Sequence, residues 1–385
     1  MKALLVVPRL PGTGYTGDRL RAELHLSALR ASGFEVTVAG GGPGAGATNV
    51  PQAARTITVR QRPAGRGASL AAAFVTGTPL QSALFAGPWR EALAAAEGPF
   101  DLTVVLLPQR LWPEVAGALP KAPLVVDFVD ALAAAARQAA ATDPALWRRL
   151  YWRLEAPRLG RAERAAAGMA RVLFATTPFD AARLPPGTVA VANGVDIGPA
   201  PGGDRGAVVA FTGRLRYRPN ELAVRRLVTE IWPEVRAAVP GARLLLGGAD
   251  APHDVRRLDG CDGIEVTSPV PDMAGFLRRA RAVAIPVTLG TGTPNKLFEA
   301  FEAGCAVVAS EEAAGRAAMG GALPPAVTAV SSSDFAASLV LYLRDPARAA
   351  ADGARGRAWV EANADRRHAL AALSEGYRRA LEGGA

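Results

Sequence analysis

The chain has 385 residues, 50% of them hydrophobic and 21% charged, which is the composition of a globular protein with room for two domains. Its net charge of +9 comes from arginines scattered over predicted helices, without the dense basic arm or interleaved aromatic residues typical of nucleic-acid binding. Two cysteines, Cys261 and Cys305, and three histidines lie far apart, which argues against a disulfide framework and a zinc or His-based metal site and favours a cytoplasmic location.

Short apolar runs alternate with alanine-rich helical stretches along the chain. The first apolar run ends at Pro8 after five residues, too few for a signal-peptide core, and predicts a first strand. No run reaches the length of a membrane span. The strands are near-continuous in Val, Leu, Ile and Ala, as in strands buried on both faces; we predict Ala3–Pro8, Glu35–Ala39, Leu102–Leu107, Leu124–Phe128, Val172–Thr176, Val189–Ala192, Val208–Thr212, Arg243–Gly247, Ile264–Thr267, Ala282–Pro286 and Ala306–Ser310.

Helical patterns lie between these strands, among them Gly17–Ser32, Pro144–Met169, Asn220–Val239, Asp272–Ala280 and Ala347–Leu381, the last broken near Asn363. Such alternation predicts βαβ units and parallel sheets.

The loop Pro199–Gly206 interrupts the alternation and is rich in Pro and Gly. We therefore predict an α/β protein of two doubly wound, Rossmann-like domains whose parallel sheets face a cleft. Residues 1–198 form the first domain and residues 199–363 the second, and a final helix at about 364–385 packs back on the first.

The first domain contains two candidate ligand-binding stretches. The loop Pro8–Gly17 follows the first strand and contains Gly14 and Gly17. If the second domain binds a nucleotide sugar, as its own motifs predict, Gly14 and Gly17 would contact the sugar from the first domain. Asp127 and Asp130 lie at the end of the fourth strand. Burying a carboxylate at the carboxyl end of such a strand costs free energy, so its presence there favours a functional role. They could bind acceptor hydroxyls; for Asp130, capping of the following helix is an equally good interpretation.

The helical stretch Pro144–Arg164 combines Trp147, Tyr151 and Trp152 with several arginines. It could contact a membrane surface. A core-packing helix with its arginines in water is the favoured interpretation.

In the second domain, Gly213 and Arg214 end a strand, where open α/β sheets bind ligands. The forked guanidinium of Arg214, with Arg218 nearby, suits a phosphate. Asn220 is predicted to cap the next helix. An alternative is a glycine turn with exposed arginines.

The most informative stretch runs from Gly290 to Ser310 and predicts a glycine-rich loop, a short helix and a buried strand. Free backbone N–H groups at a helix N-terminus favour phosphate. Lys296 supplies a charge in the first turn, and Glu299 lies on the same helix face, where it would accept hydrogen bonds from ribose. The loop contributes Thr291, Gly292, Thr293, Pro294 and Asn295.

Arg214 and Lys296 would together neutralise a diphosphate at one sheet edge. The sequence has no Asp-x-Asp motif suited to bridging a metal and a diphosphate, so we expect neither a metal nor another cofactor, and a nucleotide-diphosphate sugar as the donor substrate.

The chain resembles retaining glycosyltransferases of the GT-B fold, the family 4 or group 1 enzymes. The resemblance rests on the N-terminal glycine loop, Asn193 to Asp196, Phe211 to Arg214 and the Gly290–Ser310 block. The stretch from Asp127 to Asp130 also resembles an exopolysaccharide-type subgroup. The resemblance to the family implies that Arg214 and Lys296 bind the diphosphate and that Glu299 binds the ribose.

Two positions depart from the family pattern. A second glutamate, common eight residues before Glu299, is replaced by Thr291. A histidine often found on the acceptor side is absent, and Asp127 and Asp130 occupy that stretch, which makes Asp127 a candidate catalytic carboxylate.

The resemblance implies transfer with retention, in which the leaving diphosphate takes the acceptor proton. The acceptor would be lipid-linked or a small molecule, in polysaccharide, glycoconjugate or glycosylated-metabolite synthesis, with peripheral contact at the inner membrane face if lipid-linked. Alternatives are a sugar-nucleotide epimerase of the same architecture and a non-catalytic nucleotide-binding homologue.

Overall fold

The structure is a computed structural model that describes residues 1–11, 17–42, 50–60, 66–200, 202–203, 205–289, 295–319 and 322–383, with only the backbone of 66–70. The chain forms two compact units. Unit 1 comprises Met1–Ala192 and Ala369–Ala385, and unit 2 comprises Asn193–His368.

The sheet of unit 1 has seven parallel strands in the order β3-β2-β1-β4-β5-β6-β7. The order reverses direction between β1 and β4, and doubly wound sheets bind ligands at such a point. The strands are β1 (Lys2–Val7), β2 (Glu35–Gly42), β3 (Arg55–Arg60), β4 (Leu102–Leu106), β5 (Leu124–Asp127), β6 (Val172–Ala175) and β7 (Thr188–Ala190).

Helices cover both faces of this sheet. They are α1 (Gly17–Ala31), α2 (Arg66–Thr76), α3 (Trp89–Ala94), α4 (Pro108–Val115), α5 (Leu132–Thr142), α6 (Leu146–Ala167), α7 (Pro178–Ala181) and the last helix of the chain, α16 (Arg366–Glu382), with 3₁₀ turns at Leu80–Leu84 and Ala116–Ala118. Successive side chains of a strand point to opposite faces. Leu5 of β1 accordingly packs with Leu29 of α1 and Leu373 of α16, whereas Leu4 packs with Trp89 of α3.

The sheet of unit 2 repeats this plan with six strands in the order β10-β9-β8-β11-β12-β13. Its reversal point lies between β8 and β11. The strands are β8 (Val208–Thr212), β9 (Arg243–Gly247), β10 (Ile264–Thr267), β11 (Ala282–Ile285), β12 (Ala306–Ala309) and β13 (Val327–Thr328). The helices are α8 (Arg218–Arg226), α9 (Trp232–Ala238), α10 (His253–Arg256), α11 (Met273–Arg278), α12 (Asn295–Glu302), α13 (Glu311–Arg316), α14 (Ser332–Arg344) and α15 (Pro346–Asn363).

All eleven predicted strands are present, three with the predicted bounds and the others with ends shifted by at most three residues, and the prediction of two parallel Rossmann-like sheets is confirmed. Two strands were missed. β3 is half-exposed and reads Arg-Thr-Ile-Thr-Val-Arg, an alternating edge pattern and not a continuous apolar run, and β13 has only two residues.

The helix predicted at Asn220–Val239 is divided into α8, a π-helical turn at Leu227–Ile231, and α9. Pro233 explains the interruption, because its ring has no N–H to donate and clashes with the carbonyl four residues earlier.

Within the described residues, no helix combines the length and apolar character that crossing a membrane requires. No group of three or more His, Cys, Asp or Glu in the same residues is placed to hold a metal ion.

Candidate functional site

Two glycines shape the carboxyl ends of β8 and β9 in unit 2. Gly213 follows β8 with φ of 145°, and Gly248 follows β9 with φ of 146°. Residues other than glycine rarely adopt such a backbone conformation. A Cβ on Gly248 would overlap the Gly213 carbonyl, and one on Gly213 would lie 2.8 Å from Asn220 Nδ2 and 3.0 Å from Lys296 Nζ. These glycines therefore let two loops and a lysine meet at the carboxyl end of β8.

Lys296 lies in the first turn of α12 and turns its ammonium group towards this strand end. Its Nζ donates a 2.7 Å hydrogen bond to Asn220 Oδ1 and lies 4.4 Å from the centre of the Phe211 ring. Burial lowers its pKa to about 7; Glu299 opposes this shift and Arg316 adds to it. The ammonium thus carries a charge that an incoming anion would stabilise.

Glu299 lies one turn further along α12 and is half-buried, and its carboxyl has no hydrogen-bond partner among the described residues. Burial raises the pKa of its carboxyl to about 7, and Lys296 partly offsets this. As predicted, Lys296 and Glu299 share one face of the helix, and Lys296 reaches the end of β8.

Asn220 connects the lysine to the neighbouring loop. It is 6% exposed, and its Nδ2 donates a 2.9 Å hydrogen bond to the Arg214 carbonyl while its Oδ1 accepts from Lys296. Its prediction as a helix cap was wrong, because α8 begins at Arg218 and Asn220 lies in its first turn. An asparagine next to proline at a helix start gives no sequence signal for such a bridge.

The two predicted arginines are exposed and already paired. Arg214 Nε lies 2.6 Å from Asp250 Oδ2, and Arg218 lies 3.7 Å from Glu221. Exposed pairs of this kind contribute about 0–1 kcal/mol, so a more highly charged ligand can displace them. Asp250 was not predicted, since it lies on the loop after β9 and meets Arg214 only through the sheet.

The loop before α12 lies largely outside the described residues. Thr291, Gly292, Thr293 and Pro294, predicted to cradle the ligand, belong to that part. Asn295 begins α12, and its Oδ1 accepts a 3.4 Å hydrogen bond from Asn193 Nδ2.

In unit 1, the structure corrects the role expected for Asp127. This carboxylate is fully buried at the end of β5, with Oδ2 2.7 Å from both Arg21 Nε and His25 Nε2, and Oδ1 2.8 Å from the Val129 N–H. Burial alone would raise its pKa, but Arg21, His25 and the N–H hold the pKa well below its usual range. With both oxygens occupied and no exposed surface, Asp127 is a core residue and not a ligand-binding or catalytic one.

The same network fixes the last helix of the chain. His25 Nδ1 lies 2.7 Å from the Tyr377 hydroxyl on α16, and burial lowers the pKa of His25. Arg21 also donates to the Val191 carbonyl at 2.7 Å. His25 is therefore a buried histidine of α1 that packs within unit 1.

Asp130 lies three residues beyond Asp127 in a different environment. Val129 adopts φ of 63°, unusual for a β-branched residue, and its carbonyl accepts hydrogen bonds from the N–H and hydroxyl of Thr176. The Asp130 carbonyl accepts from Gln109 at 2.8 Å, while its half-buried carboxyl has no hydrogen-bond partner among the described residues. Burial and the nearby Asp180 raise its pKa to about 7.

The helix-capping interpretation of Asp130 was wrong, because α5 starts after Ala131 without a side-chain cap. Gly17 begins α1 with open space around it, and Gly14 lies outside the described residues. Of the predicted acceptor-side residues, Asp130 is therefore the one whose carboxyl is positioned to bind a ligand.

Residues 206–345 match the family model described as glycosyl transferases group 1. The sequence matched none of the curated proteins with which it was compared. Several solved structures share the fold over nearly the whole chain. Sucrose-phosphate synthase from Thermosynechococcus elongatus is 17% identical, with a TM-score of 0.70 and all of both chains covered.

Anabaena Alr3699/HepE in complex with UDP and glucose is 16% identical, with a TM-score of 0.67 and coverage of 98% of this chain and 99% of that one. WaaG, a glycosyltransferase involved in lipopolysaccharide biosynthesis, is 14% identical, with a TM-score of 0.68 and coverage of 97% and 99%. These likenesses confirm the two-domain GT-B fold.

Proposed function

We propose that this chain, a glycosyltransferase of the GT-B fold that carries a group 1 region in unit 2, transfers a sugar from a nucleoside-diphosphate donor to an acceptor hydroxyl with retention and without a metal. The observation that carries the proposal is the cluster of Lys296, Arg214 and Glu299 at the carboxyl end of β8. HepE, with the same fold, was solved with UDP-glucose and with UDP, which supports a nucleotide donor here.

The two cations suit a diphosphate in different ways. Lys296 is poised between its charged and neutral forms, and a nearby dianion would raise its pKa and complete its protonation. Arg214 exchanges the exposed carboxylate of Asp250 for a phosphate, to which guanidinium can donate two parallel hydrogen bonds. Neither step requires a metal to balance the charge of the diphosphate.

Glu299 fits the ribose of the donor. Its carboxyl is half-buried beside Lys296 and lacks a hydrogen-bond partner among the described residues. A vicinal diol offers two O–H donors to such a carboxylate. Ionisation of Glu299 would then be stabilised by Lys296 and by the ribose together.

Sugar transfer places negative charge on the departing diphosphate, and Arg214 and Lys296 are the groups that would stabilise it. The departing phosphate oxygen takes the proton of the acceptor hydroxyl, so the C–O bond to the diphosphate breaks as the bond to the acceptor forms on the same face. Retention follows from that geometry and no protein nucleophile takes part.

Asp130 is our candidate for holding the acceptor hydroxyl in unit 1. Its carboxyl has a pKa near 7 and lies on a loop whose strained backbone is held by Thr176 and Gln109. We propose a lipid-linked or small-molecule acceptor in polysaccharide, glycoconjugate or glycosylated-metabolite synthesis. The enzyme would act in the cytoplasm, at the membrane face when the acceptor is lipid-linked.

Calorimetric titration with UDP and GDP tests the donor site. Lys296→Ala should weaken binding of the preferred nucleotide about 30–100-fold, since a charge-assisted bond contributes about 2–3 kcal/mol. Lys121→Ala, at an exposed lysine of unit 1, is the matched control and should bind normally. Equal affinities in wild type and Lys296→Ala would contradict the assigned role.

Product analysis tests the reaction. Incubation with the bound nucleotide sugar, an acceptor extract and EDTA should yield a glycoside with the donor's anomeric configuration by NMR. Epimerised nucleotide sugar formed without acceptor, or inversion at the anomeric carbon, would contradict the proposal.

A further inference from the structure

Helix α6 of unit 1 has one face buried and one face exposed. Its exposed stripe begins with three large apolar residues, Leu146 (76% exposed), Trp147 (72%) and Leu150 (60%), followed by Leu154 (42%). Spacings of three and four residues place them on one side of the helix. Large apolar side chains gathered in this way on a surface mark a contact with another molecule or a membrane.

The stripe continues across the neighbouring helix. Phe74 and Val75, at the end of α2, are 60% and 84% exposed. The Arg158 guanidinium lies 5.2 Å from the centre of the Phe74 ring, and Arg161 donates a 3.0 Å hydrogen bond to the Gly77 carbonyl, so the end of α2 lies against the middle of α6. We name these six residues, Phe74, Val75, Leu146, Trp147, Leu150 and Leu154, the apolar patch.

The charged side chains exposed on α6 have one sign. Arg153, Arg161 and Arg164 are exposed on the same side of α6. Both glutamates of the helix face inward: Glu155 accepts from the N–H groups of Leu80 and Gln81, and Glu163 accepts from that of Ala133. The exposed stripe of α6 therefore presents arginines and apolar groups without a carboxylate.

The buried face of α6 leads to the candidate acceptor residue. Trp152 packs against a cluster that contains Leu107, Val129 and Leu159, and Val129 immediately precedes Asp130. The sequence grouped Trp147 with Trp152, but only Trp152 contributes to the core. The interpretation of this helix as core-packing with its arginines in water holds for its buried face. It did not foresee that Leu146, Trp147 and Leu150 would be exposed.

We propose that the apolar patch and its arginines bind the surface of an anionic phospholipid bilayer, with α6 lying in the interface. Leucine and tryptophan would enter the acyl boundary, and the arginines would pair with lipid phosphates. Charge complementarity favours this partner, since a second copy of a chain of net charge +9 offers less attraction than anionic lipid does. A lipid-borne acceptor would then reach unit 1 beside Asp130. Only this delivery of an acceptor to Asp130 rests on the proposed function.

Vesicle flotation tests the proposal. Wild-type protein should bind vesicles of equal phosphatidylglycerol and phosphatidylcholine, and bind pure phosphatidylcholine about tenfold more weakly. The double variant Trp147→Ser/Leu150→Ser should bind the anionic vesicles at least about tenfold more weakly. Arg153→Glu should weaken binding several-fold and make the remainder less sensitive to salt.

Matched controls are Leu323→Ser/Val330→Ser, whose residues are 65% and 69% exposed in unit 2, and Arg225→Glu on α8. They should bind vesicles as wild type does. No wild-type binding, or equal binding by the Trp147→Ser/Leu150→Ser variant, would overturn the proposal. So would self-association in sedimentation that this variant abolishes, which would assign the patch to a second copy.

Nucleotide calorimetry on the same variants separates this inference from the enzymatic one. The patch variants should retain wild-type affinity for UDP or GDP. Vesicle binding without nucleotide binding would support the membrane-binding surface and contradict the proposed donor site.

Discussion

The two units of this protein place charged residues at the ends of comparable strands and use them differently. In unit 1, Asp127 at the end of β5 is enclosed by Arg21 and His25 and has no contact with water. In unit 2, Lys296 and Glu299 meet at the end of β8, partly accessible, and each has a pKa near 7. The charges of the first cluster are neutralised within the fold, whereas burial disfavours the charged forms of Lys296 and Glu299.

This difference shows that a costly carboxylate at a strand end is not by itself evidence of a site. Burial of a charge is tolerated when the geometry of its partners is complete, as it is around Asp127. A group whose charged form is disfavoured by burial, such as Lys296 or Asp130, is the better candidate for binding a ligand.

The strongest test of the comparison removes the unit 1 carboxylate. Asp127→Ala should destabilise the protein by about 3–5 kcal/mol, because Arg21 and His25 lose their shared buried partner. Chemical denaturation monitored by circular dichroism measures the loss, with the exposed Asp101→Ala as control. Full stability together with lost acceptor turnover would instead restore Asp127 to the site.

The same network predicts a loss of stability in acid. The pKa values of both His25 and Asp127 are lowered in the folded state. The unfolded chain therefore takes up protons first, and stability should fall as the pH drops below about 6.5 and further below about 4. Asp127→Asn should flatten the lower part of this curve.

In unit 2, the pH dependence of ligand affinity tests whether Lys296 and Glu299 bind the ligand in their charged forms. The affinity for UDP-glucose, or GDP-mannose if guanine is preferred, should be greatest near pH 7. Above pH 7 it should fall by up to about tenfold per pH unit as Lys296 loses its proton, and below pH 7 it should weaken as Glu299 gains one.

Two variants assign the limbs of that profile. Lys296→Met should abolish the alkaline limb and Glu299→Gln the acidic one. Asn220→Asp should move the alkaline limb to higher pH, because a carboxylate 2.7 Å from the Lys296 ammonium would raise its pKa. A profile unchanged by all three variants would show that these groups do not meet the diphosphate sugar.

The smallest expected effect concerns Arg214. Asp250→Asn should strengthen nucleotide binding two- to threefold, since the exposed pair that must be broken contributes about 0.5 kcal/mol. Calorimetry at low and high salt checks it, and the gain should shrink at high salt. Weaker binding in this variant would show that Asp250 supports the bound state.

Much of the fold could be predicted because hydrophobic pattern and secondary structure are local. Most of the eleven predicted strands lie at near-continuous apolar runs. β3 and β13 were missed because an alternating edge strand and a two-residue strand have no such run. The π turn at Leu227–Ile231 depends on how Pro233 is accommodated in a helix that the pattern shows as continuous.

Sequence by itself determined the alternation of strands and helices, the glycine at the end of β8, and the spacing that puts Lys296 and Glu299 on one helix face. Only the tertiary structure decided which charges are satisfied. Asp127 lies 106 residues from Arg21 in the chain, and Lys296 lies 76 residues from Asn220. These pairs come into contact only because the folded sheet brings distant segments together. Burial and hydrogen bonding set the free energy of a charge, and neither can be read from its neighbours in sequence.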